Sequence, residues 1–272
     1  MIVEDVIHKT ANIALNMGID WRYDFNTIKE QMLWAPYILP KILTSEKHLY
    51  LACFSVTYLF YVEDAKVRYK DFVHHAMDIH SSRATAPKGE YDRNKYDIVY
   101  YYENLLQETL SPFNYELVHK DLLDFLPTEF DGNQEKHFSS MDDYLNERLK
   151  NIAVHIFFIM LYDALNLNFP TEHDHYFRKA VFNILIFNDL HSYIKEKAEN
   201  EQYNALVLLQ KEKNDIEHNV QELLQMANDY LLASYEIKDE LMREVLVAAQ
   251  LGNIAWGSTC RRYGVMKNLK WQ

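Results

Sequence analysis

The chain has 272 residues, 49% hydrophobic and 14% aromatic, enough to bury a large core in one big domain or two small ones. Six glycines and six prolines are too few for a protein of many strands and tight turns, which leaves long helices. A formal net charge of -12 argues against gripping a nucleic-acid backbone by bulk electrostatics, whereas a small anionic ligand needs only a few local cations.

Met1 is followed by acidic and mixed residues, without the basic flank and apolar run of a signal peptide. Cys53 and Cys260 offer no disulfide framework and suit a reducing compartment, so a cytoplasmic protein is expected. Apolar residues then recur at helical spacing in most segments. "SEKHLYLACFSVTYLFYVEDAKVRYKDFVHHAMDIHS" predicts one long helix with Ser45 as its N-cap. "NKYDIVYYYENLLQETLSP" predicts another that stops near Pro112, and a third runs from about Phe113 to Phe125 before the loop "LPTEFDGNQ".

"SSMDDYLNERLKNIAVHIFFIMLYDALNLNFP" reads as a further helical stretch, opened by Ser and acids and closed by Pro170. Its greasy part is interrupted by His155 and Asp163 and falls short of the run of about 20 apolar residues that spans a membrane. A helix through "NILIFNDLHSYIKEKAEN" follows, and the segment 204–259 predicts two or three more. No repeat, heptad run or Pro/Gly/Ser-rich linker divides the chain. The expectation is one all-α domain, 1–272, of eight to eleven helices.

Three polar islands interrupt this apolar pattern. At about 3.6 residues per turn, Asn188, Ser192 and Glu196 stack on one helix face. They offer an amide carbonyl, a hydroxyl and a carboxylate, hard oxygen donors of the kind Mg2+ takes alongside water and substrate phosphate. The alternative is an ordinary solvated face. Glu63 and Asp64 end the stripe Val56, Leu59, Phe60; adjacent carboxylates repel unless a cation joins them to a ligand, and a solvated acidic pair is the competing reading.

Near the C-terminal end, Arg261, Arg262 and Tyr263 set guanidinium forks and a phenol after Trp256, a combination that binds phosphate or is simply a basic tail. Arg148 sits ahead of a wholly apolar stretch and calls for an anionic partner, either a ligand or a neighbour such as Asp143 or Glu147. The His-rich patches "EHDHYF" and "HHAMDIH" lack the second ligand set that a metal centre requires.

Taken together the islands resemble the class I terpene synthases (terpene cyclases) of microbial type. "NDLHSYIKE" matches the N-D-x-x-S-x-x-x-E magnesium motif of that family, with Lys195 where it commonly keeps a diphosphate-binding lysine. "WGSTCRRY" is similar to its W-x-x-x-x-x-R-Y element, with Trp256, Arg262 and Tyr263 in register. "YLNERLKN" looks like the segment of the diphosphate-sensing arginine, here Arg148, and "FYVED" stands in place of the aspartate-rich F-x-x-D-D motif. All four occur in the family's order between residues 60 and 263. The departures are Glu63 in place of the first aspartate, and Ala65, Lys66 and Val67 where a third acid usually follows.

The resemblance implies a class I terpenoid synthase-like helical bundle around a deep apolar cavity. It implies three Mg2+ ions, with Glu63, Asp64, Asn188, Ser192 and Glu196 as ligands, and Arg148, Lys195, Arg262 and Tyr263 neutralising a diphosphate leaving group. The substrate would be a linear prenyl diphosphate, most readily the fifteen-carbon farnesyl compound, ionised to a carbocation with release of pyrophosphate. Phe60 and Trp256 would line the pocket, since aromatic faces stabilise cations. A chain-elongating prenyltransferase and a weakly active or non-catalytic prenyl-diphosphate-binding relative are the alternatives. A homodimer is common in such folds, and no residue pattern here specifies one.

Overall fold

The computed structural model describes residues 2–19, 24–69, 71–87, 93–129, 138–198, 203–212 and 215–260. Among them there is no strand, as expected of an all-α chain. In chain order the helices are α1 (Ile2–Ala14), α2 (Phe25–Met32), α3 (Trp34–Ile38), α4 (Glu46–Arg68), α5 (Phe72–Ser81), α6 (Arg93–Thr109) and α7 (Pro112–Phe125). They continue with α8 (Met141–Ile152), α9 (His155–Ala164), α10 (Asp174–Ala198), α11 (Ala205–Glu212), α12 (Ile216–Tyr235) and α13 (Glu240–Thr259). Short π and 3-10 turns supplement them. These helices group into two compact units, one built from 1–131 with 153–170 and the other from 132–152 with 171–272.

In the first unit α4 is the centre, packed by α1, α2, α3, α5, α6 and α9. From Leu51 to Tyr58 every side chain of α4 is buried, so it is a core helix rather than an amphipathic one. Each large apolar side chain sealed there contributes about 1.5–3 kcal/mol. Asp163, the acid that interrupts the greasy stretch of α9, is buried because its carboxylate is saturated. It accepts from His48 Nε2 at 2.8 Å, Asn114 Nδ2 at 2.8 Å, Ser111 N at 3.0 Å and the Ser111 hydroxyl. Those bonds outweigh the cost of burial and hold its pKa well below the ordinary carboxylate range. They tie the start of α4 to α7 and α9.

In the second unit α10 is the centre, packed by α8, α11, α12 and α13. Its apolar face meets Tyr144 and Leu145 of α8, Leu206 and Leu209 of α11, and Leu223 and Ala227 of α12. α13 approaches α10 closely at Gly257, where an added Cβ would stand 2.2 Å from His191 Cε1. Asp215 and Asp239 cap α12 and α13, accepting from His218 N at 3.0 Å and Met242 N at 2.8 Å.

Three sequence expectations are corrected. There are thirteen α-helices among the described residues, not eight to eleven; the predicted long helix through α4 and α5 is broken, and the stretch 139–170 forms two helices. The first breaks at Tyr69, whose backbone is extended. Among the described side chains, burial ends at Ala65 and resumes only at Phe72. The second breaks after Ile152, where Ala153 takes a left-handed φ of 51°, a conformation no helix can contain. Ser45 does precede α4, but its side chain does not bond a helix N–H; its Oγ meets His48 Nδ1 at 2.6 Å instead. Among the described residues no helix is long and apolar enough to cross a membrane.

Candidate active site

α10 changes character along its length. Val181, Ile184, Leu185 and Ile186 are buried, and one turn later the helix presents Asn188, Ser192 and Glu196 at four-residue intervals. Asn188 and Glu196 are half-buried and Ser192 is almost wholly buried. The predicted oxygen face therefore exists on a continuous helix that a core holds rigid.

Asp189 points elsewhere and is fully buried. Its Oδ1 accepts from Arg148 Nη2 of α8 at 3.0 Å. Its Oδ2 accepts from the Tyr144 hydroxyl and from Ala205 N at 2.9 Å. Arg148 is thus brought to the motif helix, but its anionic neighbour is neither Asp143 nor Glu147. Asp143 accepts from the Ser139 hydroxyl and Glu147 lies 3.6 Å from Lys150, so both are engaged locally. Arg148 also donates to Asn151 Oδ1 through Nη1, and its guanidinium lies 5.2 Å from the Tyr203 ring centroid. Its Nε is buried with no partner among the described residues, one donor left over beside an oxygen-rich face.

Glu196 is the titratable member of that face. Burial, and secondarily the Asp189 charge, push its pKa up to about 7, against hydrogen bonds from Asn204 and Ser192 and the Arg148 charge. Asn204 Nδ2 donates to Glu196 Oε2 at 2.8 Å and to the Asp189 carbonyl at 2.7 Å. A carboxylate held half out of water beside a hydroxyl and an amide, and costly to ionise there, is a donor set that a divalent cation completes. The residues present therefore fit a hard metal ion.

The other predicted residues are placed as follows. Glu63 and Asp64 lie half-buried near the C-terminal end of α4, in the first unit. Lys66, in the stretch where a third acid is usual, donates to Glu129 Oε2 at 2.5 Å, and its ammonium has no lone pair to offer a metal. Phe60 is half-buried one turn before Asp64, and Trp256 is buried in α13. Lys195 belongs to α10, but its side chain lies outside the described residues, as do Arg262 and Tyr263 altogether. Among the described residues no three His, Cys, Asp or Glu side chains gather as a metal cluster.

Sequence reasoning missed Tyr144, Asp189 and Asn204 as members of this network. Asn204 gave one local signal, a polar residue directly before the apolar run of α11. Its reach back to Glu196 depends on the tertiary fold.

A family model described as terpene synthase family 2, C-terminal metal binding, matches residues 64–232, more than half of the chain. That span contains Asp64, Arg148, Asn188, Ser192, Lys195, Glu196 and Asn204. No curated protein sequence matches the chain. Among solved structures, linalool/nerolidol synthase from Streptomyces clavuligerus aligns with a TM-score of 0.72 at 15% identity, over 94% of this chain and 95% of that one. Aristolochene synthase from Penicillium roqueforti aligns with a TM-score of 0.71 at 16% identity, over 95% of each chain. At such identities the likeness is one of fold, the all-α fold that the helix order already displays. Fold and family agree, and by the family match the chain belongs to terpene synthase family 2: it is a class I terpene synthase.

Proposed function

We propose that the chain, as one catalytic domain over 1–272, is a Mg2+-dependent terpene cyclase that ionises a linear prenyl diphosphate, with farnesyl diphosphate as the preferred length. The observation that carries this reading is the α10 face of Asn188, Ser192 and Glu196, with Arg148 anchored to the same helix through Asp189. Asn188, Ser192 and Glu196 would hold the metal, and Glu63 and Asp64 are the second proposed set of ligands. When bound, Mg2+ supplies neutralisation of the diphosphate charge, three ions being the expected number.

Arg148, Lys195, Arg262 and Tyr263 are assigned to the diphosphate oxygens as hydrogen-bond donors. Charge on the leaving group grows as the carbon–oxygen bond breaks, so donors fixed beforehand favour the separated state over the intact ester. The bonding electron pair leaves with pyrophosphate and an allylic carbocation remains. No protein nucleophile takes part. The cation then cyclises, and loses a proton to give a hydrocarbon or takes up water to give an alcohol. Aromatic faces, Phe60 and Trp256 foremost, stabilise it while water is kept out.

One observation favours a second reading, in which the chain binds prenyl diphosphate but turns it over slowly. Lys66 puts a cation, paired with Glu129, beside the Glu63–Asp64 set. Incubation with Mg2+ and the ten-, fifteen- and twenty-carbon diphosphates, with pyrophosphate release and volatile products measured together, separates the two. Tight binding without product supports the second; neither binding nor product refutes both.

A further inference from the structure

We propose that Asn204 is a positioning residue that fixes the Glu196 carboxylate as a metal ligand; this rests on the reading of Asn188, Ser192 and Glu196 as the metal face.

Asn204 is fully buried and stands immediately before α11. Its Oδ1 accepts from Leu206 N at 2.9 Å and Val207 N at 3.4 Å, the geometry of a side chain capping a helix start. Those two N–H groups dictate which way the amide is turned, because only oxygen can accept from them. The NH2 end is therefore committed to the opposite side. There it donates to the Asp189 carbonyl at 2.7 Å and to Glu196 Oε2 at 2.8 Å. The side chain uses all its donors and its acceptor, and every partner belongs either to α10 or to the first turn of α11.

Two physical consequences follow for Glu196. A flexible side chain loses rotamer freedom on ligating an ion, and a rigid donor that has already selected its direction removes part of that cost. An N–H donor also favours the ionised carboxylate, which is the form that ligates a divalent cation. Ligating carboxylates elsewhere depend on such partners, whose removal weakens metal binding by about 10- to 100-fold. Cap and ligand orientation are thus two jobs of one amide, and they separate by substitution. In Asn204→Ser the hydroxyl keeps the cap but is too short to reach Glu196. In Asn204→Asp the cap is kept while an acceptor replaces the donor facing Glu196 and the Asp189 carbonyl.

The test is Mn2+ titration with and without inorganic pyrophosphate, followed by electron paramagnetic resonance, beside the melting temperature without metal. Wild type is expected to bind Mn2+ in the presence of pyrophosphate and Glu196→Gln to bind it far less. Asn204→Ser is expected to keep a metal-free melting temperature near wild type while its Mn2+ affinity falls by about 10- to 100-fold, with turnover recovered at raised Mg2+. Asn204→Asp is expected to lose at least as much affinity, and it decides the matter should Asn204→Ser fold poorly. Unchanged Mn2+ affinity in both variants, with or without a lower melting temperature, overturns the proposal and leaves Asn204 a helix cap. If wild type and Glu196→Gln bind Mn2+ alike, the metal face itself is wrong and the proposal falls with it.

Discussion

Arg148 Nη2 and Asp189 Oδ1 lie 3.0 Å apart, one on α8 and one on α10, with Asp189 sealed from water and Arg148 nearly so. The second residue of the N-D-x-x-S-x-x-x-E sequence is thereby a structural anion: Arg148, Tyr144 and Ala205 N–H fill its carboxylate. Metal chemistry is proposed for the first, fifth and ninth residues only. Arg148 serves two roles in this arrangement, as the partner that makes Asp189 tolerable and as a proposed donor to the diphosphate.

Removing the charge from Asp189 strands the guanidinium. Asp189→Asn is expected to destabilise the protein by about 3–5 kcal/mol, because a buried cation is left without its counter-charge. Urea unfolding followed by circular dichroism measures it. A loss below about 1 kcal/mol, the size expected of an exposed pair, contradicts the burial described here.

Glu196 makes metal-free stability pH-dependent. Its pKa is raised from the ordinary carboxylate value to about 7 by burial, so the folded chain binds its proton more tightly than the unfolded chain does. Below the unfolded value both states are protonated and the contribution is intact; it is lost as pH rises through about 7 and is then constant. In chelator, wild type is expected to lose melting temperature across that window relative to Glu196→Gln. A metal favours the ionised form, so Mn2+ binding by wild type is expected to tighten over the same range. A flat difference between the two proteins contradicts the shift.

Gly257 lets α13 reach α10. Gly257→Ala places a methyl group on the buried His191 ring, and is expected to cost about 1–3 kcal/mol through overpacking. The companion measurement is the double variant with His191→Ala, which vacates that space. Rescue of most of the loss locates the strain at this pair, and additive losses locate it elsewhere.

How far the sequence disclosed this depended on whether a relationship was local. Asn188, Ser192 and Glu196 were legible because helical geometry alone stacks every fourth residue. Arg148 was legible as a cation needing a partner, but Asp189 lies 41 residues on, and no periodicity connects them. The capping position of Asn204 could be inferred from the apolar run behind it, while its bonds to α10 exist only in the folded chain. The break at Tyr69 carries no glycine or proline, and the one at Ala153 puts a methyl-bearing residue where glycine is usual, so residue type marks neither position. Asp163 read as an interruption of a greasy segment; its four donors from His48, Ser111 and Asn114 show it to be a core tie.

The most direct measurement is incubation of the purified chain and its Asn188→Ala variant with farnesyl diphosphate and Mg2+, read by gas chromatography–mass spectrometry and pyrophosphate release. Wild type is expected to give a cyclic or linear fifteen-carbon product with stoichiometric pyrophosphate. The variant is expected to lose at least about 100-fold in turnover, the scale on which removing one group that stabilises developing charge acts. Equal turnover by both proteins, or product formed by wild type in chelator, contradicts a metal held by the α10 face.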